Sequence, residues 1–189
     1  MMARLHLGLL FAAGFVMASP AAAQPTGTLA CAVGKMTPEV RANFRSLYAS
    51  KGINLTSKEL IPPDLAAAVG SCLPPGADRN ERHSQLVAGL MTYELMQVTS
   101  SALILRHAVS EKAIEAAWGR LSAADRIALL APAQRKGRPT SGESRDVVFR
   151  FAEMAHPGTS AERLRSQPQL AQDFIVYAIS RATVEDLPR

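Results

Sequence analysis

The chain has 189 residues, 48% of them hydrophobic, which suits one domain with an ordinary globular core. Two cysteines exclude a miniature held together by many disulfides, and 5% aromatics with abundant Ala and Leu and sparse Val and Ile favour helix over sheet. The formal net charge of +5 is a modest excess. It fits solubility first, leaves anionic envelope polymers as a possible attraction, and does not point to nucleic acid.

The N-terminal stretch MMARLHLGLLFAAGFVMASPAAAQP carries one Arg, then an apolar run from Leu7 to Ala18, then small residues. This is the layout of a secretory signal peptide, residues 1–23, with Gln24 opening the mature chain of 24–189. The run is too short to span a bilayer before Ser19 and Pro20 break it, so no membrane span is expected in the mature chain. The protein is therefore expected outside the cytoplasm, periplasmic or extracellular.

Export decides the cysteines. Cys31 in GTLACAVG and Cys72 in VGSCLPPG have no His or Cys beside them to share a metal. Thr28 stands where a lipid anchor at Cys31 would need an aliphatic residue, and no base or electropositive setting marks a catalytic thiol. In an oxidising compartment two cysteines allow one intramolecular pairing, so a Cys31–Cys72 disulfide is expected.

Helix signals then run along the whole chain. Thr37 caps a helix with Pro38 at its first position, and Val40, Phe44, Leu47 and Tyr48 share a face that Gly52 ends. A capping box from Thr56 to Glu59 leads to Pro62 and Pro63, and a second helix places Leu65, Val69 and Cys72 on one side. The longest element covers residues 78–109. Val87, Met91, Leu95, Val98, Ala102, Leu105 and Val109 recur at steps of three and four, and Leu86, Leu90, Tyr93, Leu103 and Ile104 fill the rest of the circumference. A helix apolar nearly all round is a central one.

Ser110 caps the next helix, with Ile114, Ala117, Trp118 and Leu121 together. A box from Ser122 to Asp125 opens another that stops at Pro132. The segment APAQRKGRPTSGES is the clearest loop and holds the one compact basic run, Arg135, Lys136 and Arg138. RDVVFRFAEMA ends at Pro157 and Gly158, a box from Thr159 to Glu162 follows, and a last helix aligns Leu170, Phe174, Ala178 and Arg181. The fold expected is all-α, a single compact domain of six or seven helices around the long central one, with one disulfide.

Candidate chemistry is sparse. Glu94 sits mid-helix among apolar neighbours, where burial raises a carboxyl pKa and suits a general acid. The structural alternative, an Arg partner from a neighbouring helix, is the commoner fate of a buried carboxylate. Glu153 and His156 stand at i and i+3, the spacing of di-iron ligand pairs, but the motif occurs once where such sites need it twice. His107 and His156 both occupy the last turn of a helix, where the dipole favours a cation. Met91 or Met96 with a histidine could ligate haem or copper, but there is no CxxCH motif and Met at this spacing is core filler. No phosphate loop, GxSxG or HExxH is present, and the NLT at Asn54 is a sequon of little weight.

The sequence thus points to an exported helical binding or structural module of the cell envelope, without cofactor, whose partner is an anionic envelope polymer or a protein. The alternatives are a small envelope-polymer hydrolase or lyase with Glu94 as acid, and a metal or haem bundle using His156 or His107.

Overall fold

Nine helices and no strand occur among the residues that the computed structural model describes, namely 27–51, 62–75, 79–134 and 142–187, the side chains of 131–134, 142 and 143 excepted. They are α1 (Gly27–Gly34), α2 (Pro38–Lys51), α3 (Pro63–Gly70), α4 (Arg79–His107), α5 (Glu111–Arg120), α6 (Ala123–Gln134), α7 (Gly142–Ala155), α8 (Ala161–Ser166) and α9 (Pro168–Asp186). The count exceeds six or seven because three helices are short. α3 has eight residues and α8 six, and both carry sequence signals, whereas the eight residues of α1 are too few for a repeating apolar face to announce itself. The expected signal peptide, the Gly52 stop, the Asn54 sequon, the Thr56–Glu59 box and the basic run Arg135, Lys136 and Arg138 lie outside the described residues.

The caps form where hydroxyls precede apolar runs. Thr37 Oγ1 accepts from Val40 N–H at 3.3 Å and Ser110 Oγ from Ala113 N–H at 3.1 Å. Ser122 and Asp125 close the expected box in both directions, each backbone N–H donating to the other's side chain at 3.1 Å. At α8 the register is one residue later than the sequence pattern implies. Ser160, not Thr159, is the cap, and its Oγ accepts from Arg163 N–H at 3.1 Å. The cause is the turn before it, where Gly158 takes φ +86 and Thr159 N–H bonds to His156 O at 3.0 Å, so Thr159 is drawn inward and buried. α6 continues through Pro132 to Gln134.

α4, with 29 residues, is the central helix, and its most extensive packing is against α9. These two divide the core. On one side α1, α2 and α3 bury Leu29, Phe44, Tyr48, Leu65 and Val69 against Leu86, Leu90 and Val98 of α4. On the other, α5 to α9 close around Phe151, whose ring meets Trp118 and Phe174 edge to face at 5.7 and 5.8 Å and stacks on Tyr177 at 5.9 Å.

The buried face of α4 is not the line expected from its periodicity. Val98 and Val109 of that line are buried, Val87, Met91, Leu95 and Ala102 are half-buried, and Leu105 is 84% exposed. A helix apolar nearly all round leaves its packed face to be chosen by its neighbours, and near its C-terminus α4 turns Leu103 inward, not Leu105.

The disulfide joins Cys31 of α1 to Cys72, just past the end of α3, with Cα atoms 5.8 Å apart. It ties together two short helices that pack on α4. The chain's other end meets them there. A Cβ at Gly89 of α4 would lie 3.1 Å from Leu187 Cδ1 and 3.8 Å from Leu29 Cδ1, so only glycine admits so close an approach without displacement.

Candidate functional site

Asp173 of α9 is the polar centre of the molecule, and its side chain is wholly buried. Its Oδ1 accepts from Tyr48 Oη at 3.0 Å and from Gln169 Nε2 at 3.2 Å. Its Oδ2 pairs with His107 Nε2 at 2.9 Å and with Arg106 Nη1 at 3.5 Å. Gln169 reaches it because i and i+4 share a helix face. Tyr48 reaches it because Phe44 and Tyr48 form the buried face of α2, and Arg106 and His107 because α4 ends there. One carboxylate therefore joins α2, α4 and α9. Burial, the charge of Asp173 and the hydrogen bond to it together push the Tyr48 phenol well above its usual range.

The other histidine of the sequence reading lies beside this cluster. His156 follows α7 and is half-buried. Its pKa is lowered by burial first, then by the positive charges of Arg163 and His107. Glu153, its supposed partner, is exposed, in a shallow groove with Arg120, Leu121, Asp125, Arg150 and Met154. Among the described residues no group of three or more His, Cys, Asp and Glu side chains could hold a metal ion. Met96 is buried in the core around Phe151, and Met91 packs against the core on the α1–α3 side.

Glu94 is 3% exposed and has an Arg from a neighbouring helix at hand. Arg41 Nη1 of α2 lies 2.9 Å from Glu94 Oε1, but no N–H points along that line, so the contact is an ion pair without a directed hydrogen bond. Arg41 spends its directed bond on Val33 O of α1, with Nη2 at 2.9 Å. Burial raises the pKa of the Glu94 carboxyl, and Arg41 and then Arg45 only reduce that rise. The neighbouring Tyr93 phenol is raised by burial and by the charge of Glu94.

Arg181 completes the line expected for α9, with Leu170, Phe174 and Ala178 all buried beside it. Its guanidinium is held bidentately by Glu115 at 2.5 and 2.8 Å, by Glu185 through Nε at 3.1 Å, and donates to Tyr177 Oη at 2.7 Å. It also lies 4.8 Å from the centre of the Trp118 ring, whose Nε1–H donates to Glu185 at 3.0 Å. Burial acts to lower the Arg181 pKa, but the bonds to Glu115 and Tyr177 more than offset it, and the group stays charged. Burial pushes the Tyr177 phenol up to about 12.

The sequence reading found Glu94, His107 and His156 but missed Asp173. The signal was present: an acid three residues after Leu170 and one before Phe174 falls on the apolar face of α9. No helix among the described residues is long and apolar enough to cross a membrane. No protein-family model, no curated protein and no solved structure matches the chain.

Proposed function

We propose that the protein is an exported helical binding module of the cell envelope, periplasmic or extracellular, with no catalysis of its own. One observation supports this reading above others. The charged side chains buried among the described residues, Glu94, Asp173 and Arg181, are each taken up by partners from neighbouring helices. Groups used in this way hold helices together, and none of them lines the groove around Arg150 and Glu153 or the one around Arg126 and Glu185. The Cys31–Cys72 bond fits an oxidising compartment.

Fractionation of the producing cell with mass spectrometry of the exported protein tests the reading. The expected result is a chain beginning at Gln24 with no free thiol. A chain retaining Met1 in the cytosol with two reactive thiols would end it. The enzyme reading keeps one observation in its favour, the burial of the Glu94 carboxyl, which pushes its pKa up. Cleavage of envelope polymer by the purified protein, lost in Glu94→Gln, would replace the module reading with that one.

A further inference from the structure

We propose that the outward face of α6 is a self-association surface, where α6 of a second copy of this chain packs across a two-fold axis into the groove between α6 and α9. The exposed residues of α6 up to Leu130 carry no charge. Ala123, Ala124 and Ile127 are exposed and Leu130 is half-buried on the same side of the helix. Ile127 keeps 64% of its surface open to solvent. The two charged residues of this stretch turn sideways and are used within the fold. Asp125 accepts from Ser122 Oγ at 2.8 Å and pairs with Arg150. Arg126 donates to Trp118 O at 3.2 Å and lies 3.8 Å from Glu185.

This face is a ridge between two grooves that share Leu121. On one side α6 and α9 flank a groove of about 350 Å³, with Ala123, Ile127, Leu130 and Ala182 among its apolar lining and Asp186 beside them. On the other, α5, α6 and α7 flank a groove of about 430 Å³ that holds Arg120, Glu153 and Met154. Helices pack by setting the ridge of one into the groove of another. Here one surface carries both parts, and the small side chains of Ala123 and Ala124 leave room for a second helix to come close.

The charges around the ridge select the occupant. Three arginines, at 120, 126 and 150, stand against four carboxylates, at 125, 153, 185 and 186, so the patch is nearly neutral on a chain of net charge +5. Arg120, Glu153 and Asp186 have no ion pair or hydrogen bond among the described residues, which leaves unpaired charge of both signs beside the ridge. An anionic polymer would meet the carboxylates, and a basic partner the arginines. A two-fold axis instead sets the patch against itself, and a patch that holds both signs, a ridge and a groove supplies its own complement. Elsewhere the basic excess of the chain would oppose the approach of a second copy. Such a dimer requires neither export nor a polymer ligand.

Sedimentation velocity of the purified chain over a range of micromolar concentrations tests the surface. The expected result is a monomer–dimer equilibrium that stops at two copies, because an isologous contact uses up both faces. Ile127→Lys places a charge on each side of the axis at once and should weaken dimerisation about a hundredfold. Ala124→Glu keeps the start of α6, where an acid suits the helix dipole, and should also weaken it by holding the two helices apart. Both positions are exposed, so urea midpoints of the variants should match the parent and separate lost association from lost folding. Leu105→Lys changes the other strongly exposed large hydrophobic among the described residues, which lines neither groove, and should leave the dimer intact. A monomer at every concentration, assembly that continues past two copies, a dimer unaffected by Ile127→Lys, or one lost equally in Leu105→Lys would each overturn the proposal.

Discussion

Tyr48 and Asp173, 125 residues apart in sequence, meet in a hydrogen bond of 3.0 Å where both side chains are buried. The bond is one of the polar attachments of α2, beside the contacts of Arg41 with Glu94 and Val33 O, and Phe44 and the Tyr48 ring supply its buried apolar face. Tyr48→Phe keeps the ring and removes the donor. The carboxylate would keep Gln169, His107 and Arg106, so the loss should be that of one hydrogen bond to a buried charge, about 1–3 kcal/mol. Urea unfolding checks this. A variant as stable as the parent would show that Tyr48 contributes packing alone.

Glu94 gives a pH-dependent expectation. Its pKa in the fold lies above the ordinary value of 4.5. A group raised in this way contributes stability that is fully present below its unfolded pKa and is lost as pH rises through its folded one. Glu94→Gln abolishes this titration, so the variant should gain on the parent as pH climbs from 4 towards 7. A fully buried ion pair broken on one side would cost about 3–5 kcal/mol. Here Arg41 is 29% exposed and keeps its bond to Val33 O, so the cost near neutrality should be about 1 kcal/mol or less. Melting curves of both proteins at several pH values decide. A large, pH-independent loss would refute it.

These two carboxylates show what a sequence makes legible here. Glu94 was visible because it interrupts the longest apolar pattern in the chain, and a neighbouring Arg was the physical expectation for it. The place of Asp173 on the apolar face of α9 is legible, but its role is not, because that depends on Tyr48, Arg106 and His107, which only tertiary packing brings to it. The caps at Thr37, Ser110 and Ser122 were legible because capping is local. The exposure of Leu105 was not, since a helix with apolar residues all round carries no mark of which face its neighbours will cover.

The disulfide should matter more than its place near the N-terminus implies. Cys31 and Cys72 are 41 residues apart, and closing such a loop is worth about 4 kcal/mol in the chain-entropy model. α1 and α3 are too short to persist alone, so their packing on α4 should loosen when the bond is cut. Replacing both cysteines with serine should lower stability by that order, and hydrogen exchange should rise first in α1 and α3. Uniform exchange across the chain would show instead that the bond supports the fold globally.

The start of α8 offers a test of register. Thr159 and Ser160 are adjacent hydroxyl residues, and the sequence pattern favours Thr159 as the cap, with Glu162 three residues on. In the structure Ser160 Oγ takes the Arg163 N–H, while Thr159 Oγ1 is buried with no partner among the described residues. The two substitutions should therefore act in opposite directions. Ser160→Ala should cost about 1 kcal/mol, the usual loss of an N-cap. Thr159→Val keeps the shape and removes a hydroxyl that was desolvated without return, so it should be neutral or stabilising by up to about 1 kcal/mol. If Thr159→Val is the damaging change and Ser160→Ala the silent one, Thr159 is the cap and α8 begins one residue earlier. Denaturant midpoints of the two variants, measured side by side, are enough to tell.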